Sequence, residues 1–411
     1  MNKKFIFAAI VGLNFAVTAQ AAPTLEEMWE LIQQQQTEIN QLNTQLETTE
    51  QRVTETEVKA EATIAAVEEV YTGPVAKLAD WAEKTSIGGY GELHYNNLTS
   101  DNSNESKNAM DLHRFVVFFG HQYSDDLRFF SELEVEHNVA GEGQNGEVEI
   151  EQAFIEWDYA ENHRTKGGVF LVPTGILNET HEPETFYGVE RNSVEKNIIP
   201  STWWEGGVMF SGEFAEGFSY DAGIHSGLFI DPTEDYKIRD GRQKTSKAKA
   251  DDLAYTGRIK YTGIPGLEVS ASAQYQADVW QGEKFAGEED ADATFLEFHT
   301  IYNNGPFGLR ALYARWDIDN VIESVQPGAD EQEGFFIEPS YRLTDKLGIF
   351  ARFSEWDNQA GDSIDTKKQQ YDIGLNYWLD ERVVLKADYM HEDVKQGDEF
   401  HGFNLGIGWS F

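Results

Sequence analysis

Apolar and polar residues alternate along the last nine residues of the chain, from Phe403 to Phe411. Side chains on a strand point alternately to opposite faces, so this stretch predicts a strand with one apolar, aromatic face and one small or polar face. A tilted strand needs about 9–11 residues to cross a bilayer. The stretch therefore predicts a membrane-spanning strand, and the alternative is an amphipathic strand of a soluble β-sandwich.

The same two-residue period recurs from Ser86 onward, with short turns and long polar loops in alternation. Short and long connections alternate in this way in bacterial outer-membrane barrels, which also have an even number of strands. The sequence predicts an all-β fold, a 16-stranded antiparallel transmembrane β-barrel over 86–411, wide enough to leave a water channel. The predicted strands lie near 86–98, 111–123, 127–138, 147–159, 165–173, 203–213, 218–227, 252–262, 267–279, 292–303, 307–317, 334–343, 347–356, 369–379, 383–393 and 400–411.

The first 85 residues have a different pattern. Residues 1–21 are predicted to be a signal peptide, with two early lysines, a short apolar run and a small-residue cleavage site. Apolar residues then recur every seven residues from Leu25 to Val67, while about half of the second-layer positions are polar. This favours a coiled coil between chains over 22–72, in the periplasm, followed by a linker at 73–85. A single amphipathic helix and a disordered Gln-rich linker around 33–36 are the alternatives.

Composition narrows the class of protein. The net charge of −40 makes nucleic acid an unsuitable partner, because few cations are available to neutralise phosphates. The chain has no cysteine, which excludes disulfides and thiolate metal sites. An aromatic content of 13% suits the interfacial girdles of a barrel.

Charged residues on the predicted strands give a first set of candidate pore residues. Rings of mixed charge on a pore wall act as ion filters, although such residues can also pair with each other and brace the wall. By alternation, the inward-facing cations are Arg128, Arg258, Lys260, Arg352 and Lys386, and the inward-facing carboxylates are Glu132, Glu134, Glu136, Glu156 and Asp388.

One predicted external loop departs from the acidic background, with six basic residues between 237 and 249. We expect a solvated loop that pairs with lipopolysaccharide phosphates or with acidic loops nearby. The alternative is that these cations gather anions at the pore mouth. The basic residues are Lys237, Arg239, Arg242, Lys244, Lys247 and Lys249.

Several motifs resemble the phosphate-selective porin O/P family of Gram-negative outer membranes. They are the segments 174–183 and 185–192, the Gly-rich start of the first strand at 88–92, and the segments 111–115 and 129–134. The resemblance covers residues 86–411 and implies a trimeric sixteen-stranded porin, in which some members carry an N-terminal coiled coil. The arginine ladder and lysine cluster of the phosphate selectors have no residue-by-residue match here, so phosphate is only one candidate anion.

The resemblance also gives a role to the predicted loop 174–201. In sixteen-stranded porins the loop after the fifth strand folds into the lumen and narrows it, and loops of this length are usually functional. The alternative is a lid packed over the barrel mouth. The candidate constriction residues are Glu179, His181, Glu182, Glu184, Glu190, Arg191, Glu195 and Lys196.

These patterns together predict an outer-membrane porin for passive diffusion of small hydrophilic solutes or ions. Its expected partners are copies of itself in a trimer, outer-membrane lipid and lipopolysaccharide, and the barrel-assembly machinery through the strand ending at Phe411. No cofactor, catalytic residue or metal site is predicted, and no nucleophile motif of a hydrolase occurs. The alternatives are a structural envelope protein, whose barrel anchors a periplasmic coiled coil, and a barrel enzyme such as a lipase.

Overall fold

A computed structural model of the chain describes residues 24–72, 74–101, 103, 105–285, 290–322, 324–395 and 397–411. The predicted signal peptide, residues 1–21, lies outside the described residues. The chain divides into two units, Met1–Asp80 and Trp81–Phe411.

The described residues of the first unit are almost all helical. Helix α1 spans Leu25–Thr72 and helix α2 spans Pro74–Glu83, so the segment expected to be a linker contains a short helix. Thr24 caps α1: its hydroxyl accepts the Glu27 amide at 3.3 Å, and the Glu27 carboxylate accepts the Thr24 amide at 2.8 Å. No helix among the described residues has both the length and the apolar content needed to cross a membrane.

The second unit is a barrel of sixteen antiparallel strands, as the alternating pattern predicts. The strands are β1 Thr85–Ser100, β2 Ser106–Gln122, β3 Leu127–Glu136, β4 Val148–Ala160, β5 His163–Leu171, β6 Trp204–Ala215, β7 Phe218–His225, β8 Ala254–Ile264, β9 Leu267–Gln276, β10 Ala293–Asn304, β11 Phe307–Ile318, β12 Glu331–Arg342, β13 Leu347–Asp357, β14 Lys368–Asp380, β15 Val383–Val394 and β16 Phe400–Ser410.

The barrel closes where β16 pairs with β1, with Tyr90 opposite Ser410. Closure pairs the backbone groups of every strand with a neighbour, which the interior of a bilayer requires. In β16, Phe403 and Leu405 are 62% and 50% exposed, whereas Asn404 between them is 1% exposed. The apolar side chains therefore point outward and the polar side chains point into the barrel.

Connections between strands alternate in length as predicted. Short turns join β2 to β3, β4 to β5 and the later pairs of this kind, and the long loops lie at the opposite ends of the strands. Several predicted strand ends differ by two or three residues from those observed, and the largest difference lies between β1 and β2. Residues 99–110 were expected to be a loop, but β1 and β2 continue through most of this segment, and Thr99 pairs with Ser106.

Candidate functional site

The connection between β5 and β6, residues 172–203, is a folded loop that contains the predicted segment 174–201. We call it the β5–β6 loop. One carboxylate oxygen of the fully buried Glu195 accepts the amides of Ile176 and Leu177, both at 2.6 Å. Gly175 has a φ of +69° and faces this carboxylate, where a side chain would meet the Glu195 oxygen. The loop is thus organised by its own polar groups.

One side of the β5–β6 loop belongs to an apolar core inside the barrel. Trp203 and Ile198 of the loop are fully buried there, together with Trp316 of β11. The Trp316 indole nitrogen donates to the Ile198 carbonyl at 2.9 Å. The loops after β7 and β9 contribute further members, so this core fills the part of the barrel bounded by β10–β13.

Ion pairs hold the loop to the wall at β3, β4 and β8. The His181 imidazole lies 3.5 Å from the Glu132 carboxylate and 3.6 Å from the Glu151 carboxylate. Burial alone would lower the pKa of His181, but the two carboxylates outweigh burial and raise it to about 10. Glu179 of the loop pairs with Arg258 of β8.

Hydrogen bonds hold the loop to β13–β15 on another side of the barrel. The Val189 amide donates to the Asp388 carboxylate at 2.6 Å, and the Asn376 amide donates to the Phe186 carbonyl at 2.9 Å. Arg352 reaches the Glu190 carbonyl at 3.4 Å. A segment can contact β3, β8 and β13–β15 together only from within the barrel, so the β5–β6 loop lies inside it.

A cavity of about 620 Å³ lies between the β5–β6 loop and the wall formed by β1–β4 and β13–β16. Its lining contains eight lysines and arginines against six glutamates, although the whole chain has a net charge of −40. The cations are Lys107, Arg114, Arg191, Lys196, Arg239, Arg242, Lys244 and Lys368. The glutamates are Glu92, Glu136, Glu149, Glu151, Glu190 and Glu392.

Comparison with known proteins identifies the fold and the family. The profile of the Gram-negative porins matches residues 207–397. A protein of unassigned function from Aquifex aeolicus (strain VF5) is 31% identical over 378 residues, which cover 82% of this chain and 83% of that protein. This chain belongs to the Gram-negative porin family. The family and the barrel fit the outer membrane and indicate a channel rather than an enzyme.

Solved porin structures share the fold of this porin at low identity. The anion-selective porin from Comamonas acidovorans is 14% identical with a TM-score of 0.57, and it covers 80% of this chain and 99% of its own. OmpT, an outer membrane protein of Vibrio cholerae solved in a trimer form, is 13% identical with a TM-score of 0.51 over 80% of this chain and 99% of its own. Identities this low show the barrel fold alone.

Six cations of the porin cavity have no carboxylate partner within ion-pair distance among the described residues: Lys107, Arg191, Lys196, Arg239, Arg242 and Lys368. Three of them converge on the backbone and side chain of residues 201–202. Arg239 donates to the Ser201 carbonyl at 2.7 Å, Arg242 donates to the Thr202 carbonyl, and Arg191 donates to the Thr202 hydroxyl at 2.8 Å. We call Arg191, Arg239 and Arg242 the arginine cluster.

The pKa values of all three arginines in the cluster are lowered, chiefly by burial. Burial, and then the charge of Arg242, lowers the pKa of Arg239 to about 9. Burial also lowers the pKa values of Arg191 and Arg242. Nearby positive charges without a carboxylate at ion-pair distance favour the approach of an anion.

The predicted constriction residues divide into two groups. Glu190, Arg191 and Lys196 line the cavity. Glu190 lies 3.0 Å from the His94 imidazole, which helps to lower the pKa of this glutamate despite its burial. The other five lie away from the cavity. Glu179 and His181 form ion pairs with the barrel wall, and Glu195 accepts backbone amides within the loop. The Glu182 carbonyl accepts a hydrogen bond in a turn, and the Glu184 carboxylate accepts the Ser410 hydroxyl at 2.6 Å.

Most of the predicted lumen-wall residues form contacts within the barrel wall or with the β5–β6 loop and do not line the cavity. Arg128 pairs with Glu156 and Asp158, Arg258 with Asp221, Lys260 with Glu268, and Arg352 with Glu338 and Asp372. Glu132 and Glu134 are buried, and Gln152 donates to Glu132. The Lys386 ammonium lies 3.4 Å from the centre of the Phe186 ring of the loop. Of the predicted inward-facing residues on the strands, Glu136 alone is part of the cavity lining.

Two cavity residues that sequence reasoning missed sit at β-bulges. The β1–β2 register skips one residue at His113, and the β3–β4 register skips one residue at Glu151. A bulge re-aims the side chain of its extra residue. The sequence indicates both bulges. Apolar residues of the alternating pattern change from even-numbered to odd-numbered positions between Leu112 and Phe115, and the same change occurs around Glu151.

Proposed function

We propose that this porin forms a water-filled channel through the outer membrane that passes small hydrophilic anions by diffusion. The arginine cluster carries this proposal, because its guanidinium groups face a cavity with no carboxylate at ion-pair distance. Guanidinium groups bind carboxylates and phosphates through paired hydrogen bonds. Small carboxylates and phosphate are therefore the solutes that this cavity suits, in line with the resemblance to the phosphate-selective porins.

The β5–β6 loop is the proposed constriction. A charge selects among solutes only where the pore is narrow, since about 10 Å of salt solution screens it. The loop carries Arg191 and Lys196, and the loop after β7, which lines the same cavity, carries Arg239 and Arg242. A passing anion would therefore meet cations from both loops.

Reversal potential in a tenfold KCl gradient across a planar bilayer tests this function. We expect discrete channels whose reversal potential has the sign of a chloride-preferring pore. Phosphate or a small dicarboxylate added on one side should reduce the chloride current, because it competes for the arginine cluster. A cation-preferring reversal potential, or no channel at high protein load, would contradict the proposal.

We further propose that the porin is a homotrimer whose α1 helices form a coiled coil in the periplasm. Ile32, Ile39 and Leu46 recur at seven-residue spacing, and each is about half exposed in the single chain. The trimer form of Vibrio cholerae OmpT supports this oligomeric state. Lipopolysaccharide, and the assembly machinery acting through β16 and Phe411, are further proposed partners.

The second candidate function is a structural envelope protein, favoured by the length of α1. Deleting residues 23–72 separates the two functions. If the protein is a channel, the deletion variant should keep its conductance. Only its assembly should change, as measured by its oligomeric state in detergent. If the protein is a structural anchor, the deletion should abolish its envelope phenotype, and neither the full chain nor the deletion variant should conduct.

A further inference from the structure

Two imidazoles and a carboxylate converge on the wall of the cavity, apart from the arginine cluster. The Asp111 carboxylate oxygen lies 2.7 Å from the His137 Nδ1 atom and 3.3 Å from the His113 Nδ1 atom. One possible ligand atom from each of the three residues lies within 4.8 Å of the other two. Both histidines line the cavity, and all three residues are partly exposed. A small solute in the cavity can therefore reach them.

The backbone fixes this arrangement. His113 is the extra residue of the β1–β2 bulge, since Glu92 pairs with Arg114 and Leu93 pairs with Leu112. His137 follows the end of β3 with a φ of +51°, and its amide donates to the His113 carbonyl at 3.3 Å. Two irregular backbone positions thus bring two ring nitrogens to one carboxylate.

We propose that Asp111, His113 and His137 bind a divalent transition-metal ion of the Zn²⁺ class. Imidazole and carboxylate ligands suit Zn²⁺, with metal–ligand bonds of about 2.0–2.2 Å. Tetrahedral bonds of that length hold neighbouring ligand atoms about 3.3 Å apart, which is the His113–Asp111 spacing. The His137–Asp111 pair needs to open slightly to admit the ion.

The site has three protein ligands and leaves the fourth position open to the cavity. His94 stacks on His113 with ring centres 4.6 Å apart, but both of its nitrogens are already engaged, one with Glu92 and one with Glu190. His94 therefore packs behind His113 and does not complete the ligand set. Three ligands with an open position are typical of sites that also bind an exogenous group.

A bound dication would add positive charge beside Arg114 on the cavity wall. If the proposed channel function holds, Zn²⁺ should reduce the current carried by cations and increase the preference for anions. This consequence rests on the proposed function, whereas metal binding itself does not. Binding is therefore measured first, on the purified full chain in detergent.

The experiment is a calorimetric titration with ZnCl₂, with Co²⁺ absorption as a second readout of tetrahedral coordination. A background that carries His391→Ala and His401→Ala removes the other described group of two histidines and an aspartate, which includes Asp101. In this background we expect one Zn²⁺ per chain. His137→Ala and Asp111→Asn should weaken that binding by at least about tenfold, while the control His163→Ala should leave it unchanged.

The choice of variants keeps the test decisive. His113→Ala alters the bulge itself, so His137→Ala and Asp111→Asn are the primary variants, each checked for barrel formation by circular dichroism. Absence of Zn²⁺ binding at millimolar concentration, or unchanged stoichiometry and affinity in both primary variants, would overturn the proposal. Asp111 would then serve only as a hydrogen-bond acceptor for two histidines.

Discussion

The His181 imidazole of the β5–β6 loop lies 3.5 Å from the Glu132 carboxylate of β3, and both side chains are almost fully buried. The second carboxylate, from Glu151, comes from the bulge in β4. A buried charge is strongly destabilising once its partner is removed. This contact therefore determines how firmly one end of the loop is held to the barrel wall.

Replacing His181 with alanine should loosen the loop. The change leaves Glu132 and Glu151 as neighbouring buried carboxylates, at a cost of about 3–5 kcal/mol in the free energy of unfolding. We expect a lower urea midpoint in detergent and a noisier channel in a planar bilayer. Glu182→Gln is the matched control, since that side chain makes no hydrogen bond or ion pair among the described residues. Equal stability of the two variants would contradict the role given to His181.

The same residue predicts a pH dependence. The pKa of His181 is raised from its ordinary 6.5 to about 10 in the folded porin. A raised pKa stabilises the fold fully below about pH 6.5, and that stabilisation is lost as pH rises through about 10. The free energy of unfolding should therefore fall between pH 7 and pH 10 in the wild type, and it should fall less in His181→Ala. Parallel pH profiles of the two proteins would exclude this linkage.

Replacing Arg239 and Arg242 with glutamine should reduce the preference for anions. A unit charge at about 4 Å is worth about 1 kcal/mol even in water, so each change should lower the anion-to-cation permeability ratio on the order of fivefold. Lys237→Gln is the control: Lys237 lies in the same loop, pairs with Asp235 at 3.3 Å and is not part of the cavity lining. Reversal potentials that shift equally in all three variants would show a general charge effect instead.

Glu195 should matter for the fold of the loop and not for selectivity. Glu195→Ala leaves two buried amides without an acceptor, at about 1–3 kcal/mol each. We expect limited proteolysis to cut between residues 172 and 203 while the strands of the barrel persist. Glu195→Gln keeps an acceptor oxygen and should resist cleavage. If both variants resist protease equally, then the hydrogen bonds to Ile176 and Leu177 do not hold the loop together.

The barrel could be predicted from the sequence because the patterns that indicate it involve residues close together in the chain. The period of two, the Asp- and Gly-rich turns and the alternation of connection lengths each need only neighbouring residues. Strand ends were predicted less well where polar residues extend the pairing between two strands, as Thr99 of β1 and Ser106 of β2 do.

The cavity could be read only in part, because its lining depends on contacts between distant segments. Alternation predicts that Arg352 and Lys386 face inward, but it cannot show that Arg352 pairs with Asp372 or that Lys386 packs on a ring of the β5–β6 loop. The apolar core that fills one side of the barrel likewise brings together loops far apart in the chain. The change in the parity of apolar positions at His113 was readable, and it marks a residue on the cavity wall.

Arg352 is the wall residue whose removal should be most costly. It pairs with Glu338 at 3.2 Å and Asp372 at 3.0 Å, and all three side chains are about 5% exposed or less. Arg352→Met leaves both carboxylates buried without a cation, and we expect a loss of about 3–5 kcal/mol, measured by urea unfolding with tryptophan fluorescence. Adding Glu338→Gln and Asp372→Asn to Arg352→Met should recover part of the loss, because neutral amides leave no buried charge. Arg382→Gln, at an exposed turn, should cost at most about 1 kcal/mol; if Arg352→Met were equally mild, the buried network would not brace the wall.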